Sequence, residues 1–143
     1  MNDLRERFEL RWQTILKKSA KLGLLLPNKE ILWKKILLSF DNGFKCEYCG
    51  KQLLIKDPDF PYSRSFSLDH RISIDIGGDN KIENFAVICH RCNITKGTMT
   101  EKTFRSLLQA LSKNPDILDH VFEEMWRGRL ANKLERENGK EGK

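Results

Sequence analysis

All four cysteines of the chain fall into two C-x-x-C units, Cys46 and Cys49 in KCEYCGK and Cys89 and Cys92 in ICHRCN. Each unit lets two thiolates on one tight turn approach a single ion, and two units complete a tetrahedron. Four thiolates close the coordination sphere, so the expected ion is a zinc that organises the fold and does no chemistry of its own. Disulfides and a redox-active pair compete with that reading. They fit less well, because the two pairs use every cysteine, lie 39 residues apart and follow an N-terminus, MNDLRERFEL, that lacks the apolar stretch of a secretory leader. Between the pairs, FSLDHRISIDIGGDN carries Asp69 directly before His70 at the end of a β-like run. An acid beside a histidine is the raw material of metal binding and proton transfer, but from the dipeptide alone a strand-end accident reads the same. Residues 50–88 are clamped at both ends by one ion, so whatever they carry is pinned relative to CHRCNITKG.

The elements that must hold these residues are short in the middle of the chain and helical at both ends. Leu4, Phe8, Trp12, Ile15 and Leu16 make one stripe, which predicts an amphipathic helix from residue 3 to about 21. Pro27 breaks that pattern, and Asn28 is suited to cap a second helix over KEILWKKILLSF, which DNGF ends in a tight turn. Strands are expected over Phe66–Ile72 and Phe85–Ile88, joined through Gly77 and Gly78. A helix is expected to begin at or just after Cys92. Thr100 suits the cap of EKTFRSLLQALSK, and Asn114-Pro115 opens a last helix. The expected division is an N-terminal helical arm over 1–42, a zinc-stapled core over 43–99, C-terminal helices over 100–136 and a disordered tail over 137–143.

With 143 residues and 32% charged side chains, the chain suits one small soluble domain. The longest apolar run, in KLGLLLPNKE, is cut by Pro27, so no membrane partner is expected, and the cytoplasm is the default location. The net charge of +6 favours a polyanionic partner. Residues 1–42 hold nine Lys/Arg against five Asp/Glu, whereas 43–98 hold eight against seven and 99–143 nine against eight. Most of the surplus is therefore in the N-terminal arm.

The stretch LDHRISIDIGGDNKIENFAVICHRCNITKG resembles the HNH endonuclease family, whose active site is a ββα-metal unit. The resemblance runs from residue 46 to about 97. It rests on Asp-His at a strand end, the Gly-Gly loop, Asn84 fourteen residues after His70, and Asn93 nine residues later inside a closing CxxCNxxKG. Ser73, where family members often have proline, and Ile76, before the glycines, depart from the pattern. The fold implied is α+β, a small ββα-metal HNH core stapled by the four-cysteine zinc site and flanked by N- and C-terminal α-helices.

The resemblance also implies an activity, metal-dependent hydrolysis of phosphodiester bonds in DNA, double-stranded DNA foremost. Asp69 and Asn93 would hold a catalytic Mg²⁺, Mn²⁺ or other divalent ion, a carboxylate and an amide oxygen being a partial cage for a hard cation. His70 would be the general base. Asn84 would tie the loop between the strands and hold His70, while Arg71, Arg91 and Lys96 are candidate phosphate contacts, a plain solvated charge being the competing reading for Arg91 and Lys96 beside the metal-ligand position. Adjacent residues of a strand face opposite ways, so Asp69 and His70 can share a site only if the strand end is bent. The alternative is a non-catalytic zinc-organised nucleic-acid-binding module, or a nuclease subunit of a larger DNA-processing assembly. The arms' apolar stripes leave open whether they cover the zinc centre, make a homodimer or meet a partner protein. His90 is expected to be exposed, His120 to lie on a helix surface, Asp75 and Asp79 to be loop acids that could recruit a second ion, and Trp12, Trp33 and Trp126 to be core.

Overall fold

The computed structural model describes residues 2–59 and 62–141. Seven regular elements follow in order: α1 Asn2–Leu22, α2 Lys29–Asp41, β1 Phe66–His70, β2 Phe85–Cys89, α3 His90–Lys96, α4 Glu101–Leu111 and α5 Pro115–Glu141. Mixed helix and a two-stranded sheet, with the cysteines gathered at the sheet, make this the α+β class expected. Among the described residues no helix is long and apolar enough to cross a membrane.

Local chemistry sets the helix starts. The Asn28 side chain accepts from the Ile31 amide and the Thr100 hydroxyl accepts from the Thr103 amide, each satisfying a donor that the first turn leaves orphaned. Leu4, Phe8 and Trp12 are buried together with Leu32 and Ile36 of α2, and this cluster continues through Phe66, Phe85–Ile88, Phe104 and Phe122. Full burial of one such phenylalanine contributes about 2–3 kcal/mol. Arms and centre thus share one core.

Strands β1 and β2 pair antiparallel, Phe66 opposite Cys89 and His70 opposite Phe85. Every residue of β2 is buried, which its unbroken apolar run FAVIC already implies. Strand β1 stops at His70, two residues short of expectation, because Asn84 takes over the next backbone groups. Helix α3 starts at His90, before Cys92, because the Cys89 sulfur caps it by accepting the Cys92 amide. Residues 137–141, expected to be unstructured, continue α5, while 142 and 143 lie outside the described residues. Between the strands, Ser73 caps a single 3-10 turn over Ile74–Ile76 that ends on Gly77 in a left-handed conformation, φ 98°. A Cβ on Gly78 would overlap the Ile72 carbonyl, so the second glycine is required by close approach of backbone.

Candidate active site

Two side-chain clusters lie at opposite ends of the hairpin. At the Cys89 end, the sulfurs of Cys46, Cys49, Cys89 and Cys92 all lie within 4.8 Å of one another, with Cys49 and Cys89 3.8 Å apart. Gly50, at φ 74°, turns the chain back after the first pair, and its amide donates to the Cys46 carbonyl at 3.0 Å. The crowded sulfurs cannot all ionise unaided. Hydrogen bonds from its neighbours pull Cys46 far below the usual thiol range, while the neighbouring sulfurs push Cys89 and Cys92 up. A divalent ion relieves that competition by replacing the shared protons, so the donor set fits zinc. The first loop is tied to β2 through Glu47, whose carboxylate accepts from the Val87 amide at 2.5 Å and pairs with Arg71 at 2.7 Å.

At the His70 end, Asp69, His70 and Asn93 line one cleft of about 400 Å³, together with Ser19, Asn80 and residues of α1 and α5. His70 is the last residue of β1, where the chain leaves the ladder, and its ring packs on Phe85 with centroids 4.6 Å apart. Asn93 reaches the cleft because α3 runs back along the hairpin from the cysteine end, over about 10 Å between Cys89 and Lys96 at 1.5 Å per residue. Its Nδ2 donates to Ser67 Oγ at 3.2 Å, and the amide oxygen has no hydrogen-bond partner among the described residues.

Asp69 is buried, and the Lys96 ammonium stands 3.0 Å from its Oδ2, as a charge pair rather than a well-directed hydrogen bond. Burial pushes the Asp69 carboxyl up, and Lys96, His70 and Arg71 offset this only in part. Lys96 also donates to the His70 carbonyl at 3.1 Å. With one carboxylate oxygen so engaged, Oδ1 of Asp69 and the amide oxygen of Asn93 are the donors that suit a hard cation.

Several assignments made from sequence change here. Lys96, read from sequence as a phosphate contact, is fully buried (side chain 0% exposed) beside Asp69. Arg71, 23% exposed, pairs with Glu47 and Glu101, and Arg91, 18% exposed, pairs with Asp119 and lies 3.9 Å over the Phe122 ring. All three cations are engaged inside the protein. Those that line the cleft are instead Arg11, Lys18 and Arg129, in the arms. Arg11 forms no ion pair among the described residues, and burial, with the charge of Arg7 behind it, lowers its pKa. The basic surplus of residues 1–42 was the one signal for it.

Asn84 does tie the loop: it accepts from the Ile72 amide at 2.8 Å and donates to the carbonyls of Ile72 at 3.0 Å and Asp79 at 2.8 Å. It makes no bond to the His70 side chain. The amide there is that of Asn80, whose Oδ1 is 2.8 Å from His70 Nε2. Nothing in the sequence separates Asn80 from an ordinary turn asparagine; only its burial does. His90 is half-buried, not exposed, its ring edge-on to Trp126 at 5.6 Å. Burial, then the charges of Arg11 and Arg7, lower its pKa. His120 is exposed on α5, and Asp75 and Asp79 are exposed loop acids that bond locally or pair loosely with Lys18. Trp12 is core, and Trp33 packs on Phe8 at 5.2 Å.

Residues 46–98 match the model of the family described as HNH endonuclease. No curated protein and no solved structure matches the chain. The matched stretch contains both cysteine pairs, the whole hairpin and α3, and stops short of the arms that line the cleft. Residues 46–98 are therefore similar to an HNH endonuclease domain and are carried between helices that the family model leaves out.

Proposed function

We propose that the protein is a metal-dependent endonuclease that hydrolyses phosphodiester bonds of DNA. The reading rests on the single cleft that His70, Asp69 and Asn93 line together, with Arg11, Lys18 and Arg129 around it. His70 takes a proton from water as the water oxygen attacks phosphorus, and the bond from phosphorus to the 3′ oxygen breaks. The departing oxygen takes its proton from solvent, which leaves 5′-phosphate and 3′-hydroxyl ends. A divalent ion held by Asp69 and Asn93 would supply charge relief on the phosphate oxygens. Arg11, Lys18 and Arg129 would draw the polyanion to the cleft, as cations do by long-range attraction and counterion release.

The test is plasmid cleavage by zinc-loaded protein with EDTA, Mg²⁺ or Mn²⁺, beside His70→Ala of verified fold. Nicking or linearisation that needs the divalent ion and falls by about 10²- to 10⁴-fold in the variant is the expected result. Wild-type protein that binds DNA but cuts none under any of these conditions would leave a binding module in its place.

A further inference from the structure

Asn80 is 7% exposed, in the loop between the strands, and each polar atom of its amide has a partner. Nδ2 donates to Ser19 Oγ at 2.8 Å and to the Leu25 carbonyl at 3.0 Å, both contributed by the N-terminal arm. Oδ1 lies 2.8 Å from His70 Nε2. A backbone carbonyl has no hydrogen to give, so the amide cannot be turned round: its nitrogen must face Leu25 and its oxygen must face the histidine. An amide oxygen only accepts, so the hydrogen between Asn80 and His70 belongs to Nε2. In the neutral ring the lone pair is then on Nδ1, which has no partner among the described residues.

We propose that Asn80 is a positioning residue through which the N-terminal arm, by Ser19 and Leu25, fixes the tautomer and orientation of His70 and presents Nδ1 to the cleft. Its catalytic consequence rests on the nuclease reading; the tautomer itself does not. The arm is then part of the working site although the HNH match begins only at residue 46. Because Asn80 and Ser19 stand 61 positions apart, the contact forms only when the arm is docked.

The experiment uses the full zinc-loaded chain with ¹⁵N-labelled histidine, at a pH above the ordinary histidine range. Long-range ¹H–¹⁵N correlation in the wild type is expected to find His70 with Nε2 protonated and Nδ1 bare, and a directly bonded Nε2–H signal protected from exchange. Asn80→Leu, which keeps the volume and removes the acceptor, is expected to lose that signal and mix the tautomers while retaining zinc. Its kcat is expected to fall about tenfold or more, by analogy with the loss of groups that orient a metal-bound histidine, with KM little changed. Ser19→Ala, which frees one of the two donors' anchors, is expected to weaken the signal in part. A wild-type ring protonated on Nδ1 overturns the proposal even if no Asn80 variant folds, as does a protected Nε2–H that survives Asn80→Leu. An absence of cleavage by the wild type counts against the nuclease reading alone, since the ring signals still decide the role of Asn80.

Discussion

At the Cys89 end of the hairpin the chain is joined by four sulfurs suited to one ion. At the His70 end, roughly 14 Å away along strands that advance about 3.4 Å per residue, it is joined by amides and an ion pair drawn from distant stretches. The first joint concentrates its strength in one centre and is built from two repeats of the same short spacing. The second spreads its strength over Asn84, Asn80, Ser19 and the Lys96–Asp69 pair. Stability is thus gathered where no reaction is proposed. The cleft is held by several separate contacts, each of which a single substitution can remove.

The largest expected effect breaks the first joint. Cys46→Ala removes a zinc ligand, and because metal binding and folding are one event in such sites, the loss approaches the apparent binding free energy of about 10 kcal/mol or more, comparable to the whole stability of a small domain. Far-ultraviolet circular dichroism and metal content should both collapse. A variant that keeps one zinc per chain and melts like the wild type would remove the contrast between the ends.

Next comes Lys96→Met, which leaves the Asp69 carboxylate buried beside an apolar group. The expected cost is about 3–5 kcal/mol in urea unfolding. Adding Asp69→Asn should recover part of it, since the uncompensated charge is gone. Additive costs in that double-mutant cycle would mean the pair is not coupled. Asn84→Ala, which deletes three exposed hydrogen bonds around Ile72 and Asp79, should cost about 1–2 kcal/mol and loosen the glycine loop while zinc stays bound. The smallest effect belongs to Asn28→Ala, a lost helix cap on α2. At about 1 kcal/mol in the same unfolding measurement it sets the scale for an ordinary local contact.

The same contrast explains what the sequence made legible. The cysteine joint, the α1 stripe and the caps at Asn28 and Thr100 are encoded within a few residues of where they act, so spacing alone reveals them. The Gly-Gly loop and the placing of His70 at a strand end are local in the same sense. Asn80 and Lys96 are not. Asparagine after Gly-Gly-Asp looks like any turn residue, and its partners lie in the N-terminal arm. Lys96 resembles a surface cation until α3 brings its ammonium beneath β1, where the geometry of a whole helix decides its neighbour. The acids that pair with Arg71 and Arg91 are likewise 24 and 28 positions away, so the sequence does not show these pairings. Polar residues whose partners are distant carry no periodicity to read.

Cys89 closes β2, accepts the amide at the head of α3 and contributes a sulfur to the cluster. Strand, helix and first cysteine loop therefore meet in one residue, which is expected to couple their opening. In hydrogen-exchange terms, the amides of β1, β2 and α3 should trade protons with solvent at one shared opening rate in the zinc-loaded protein, and stripping the ion should speed all of them together, while the far turns of α5 go on exchanging at a pace of their own.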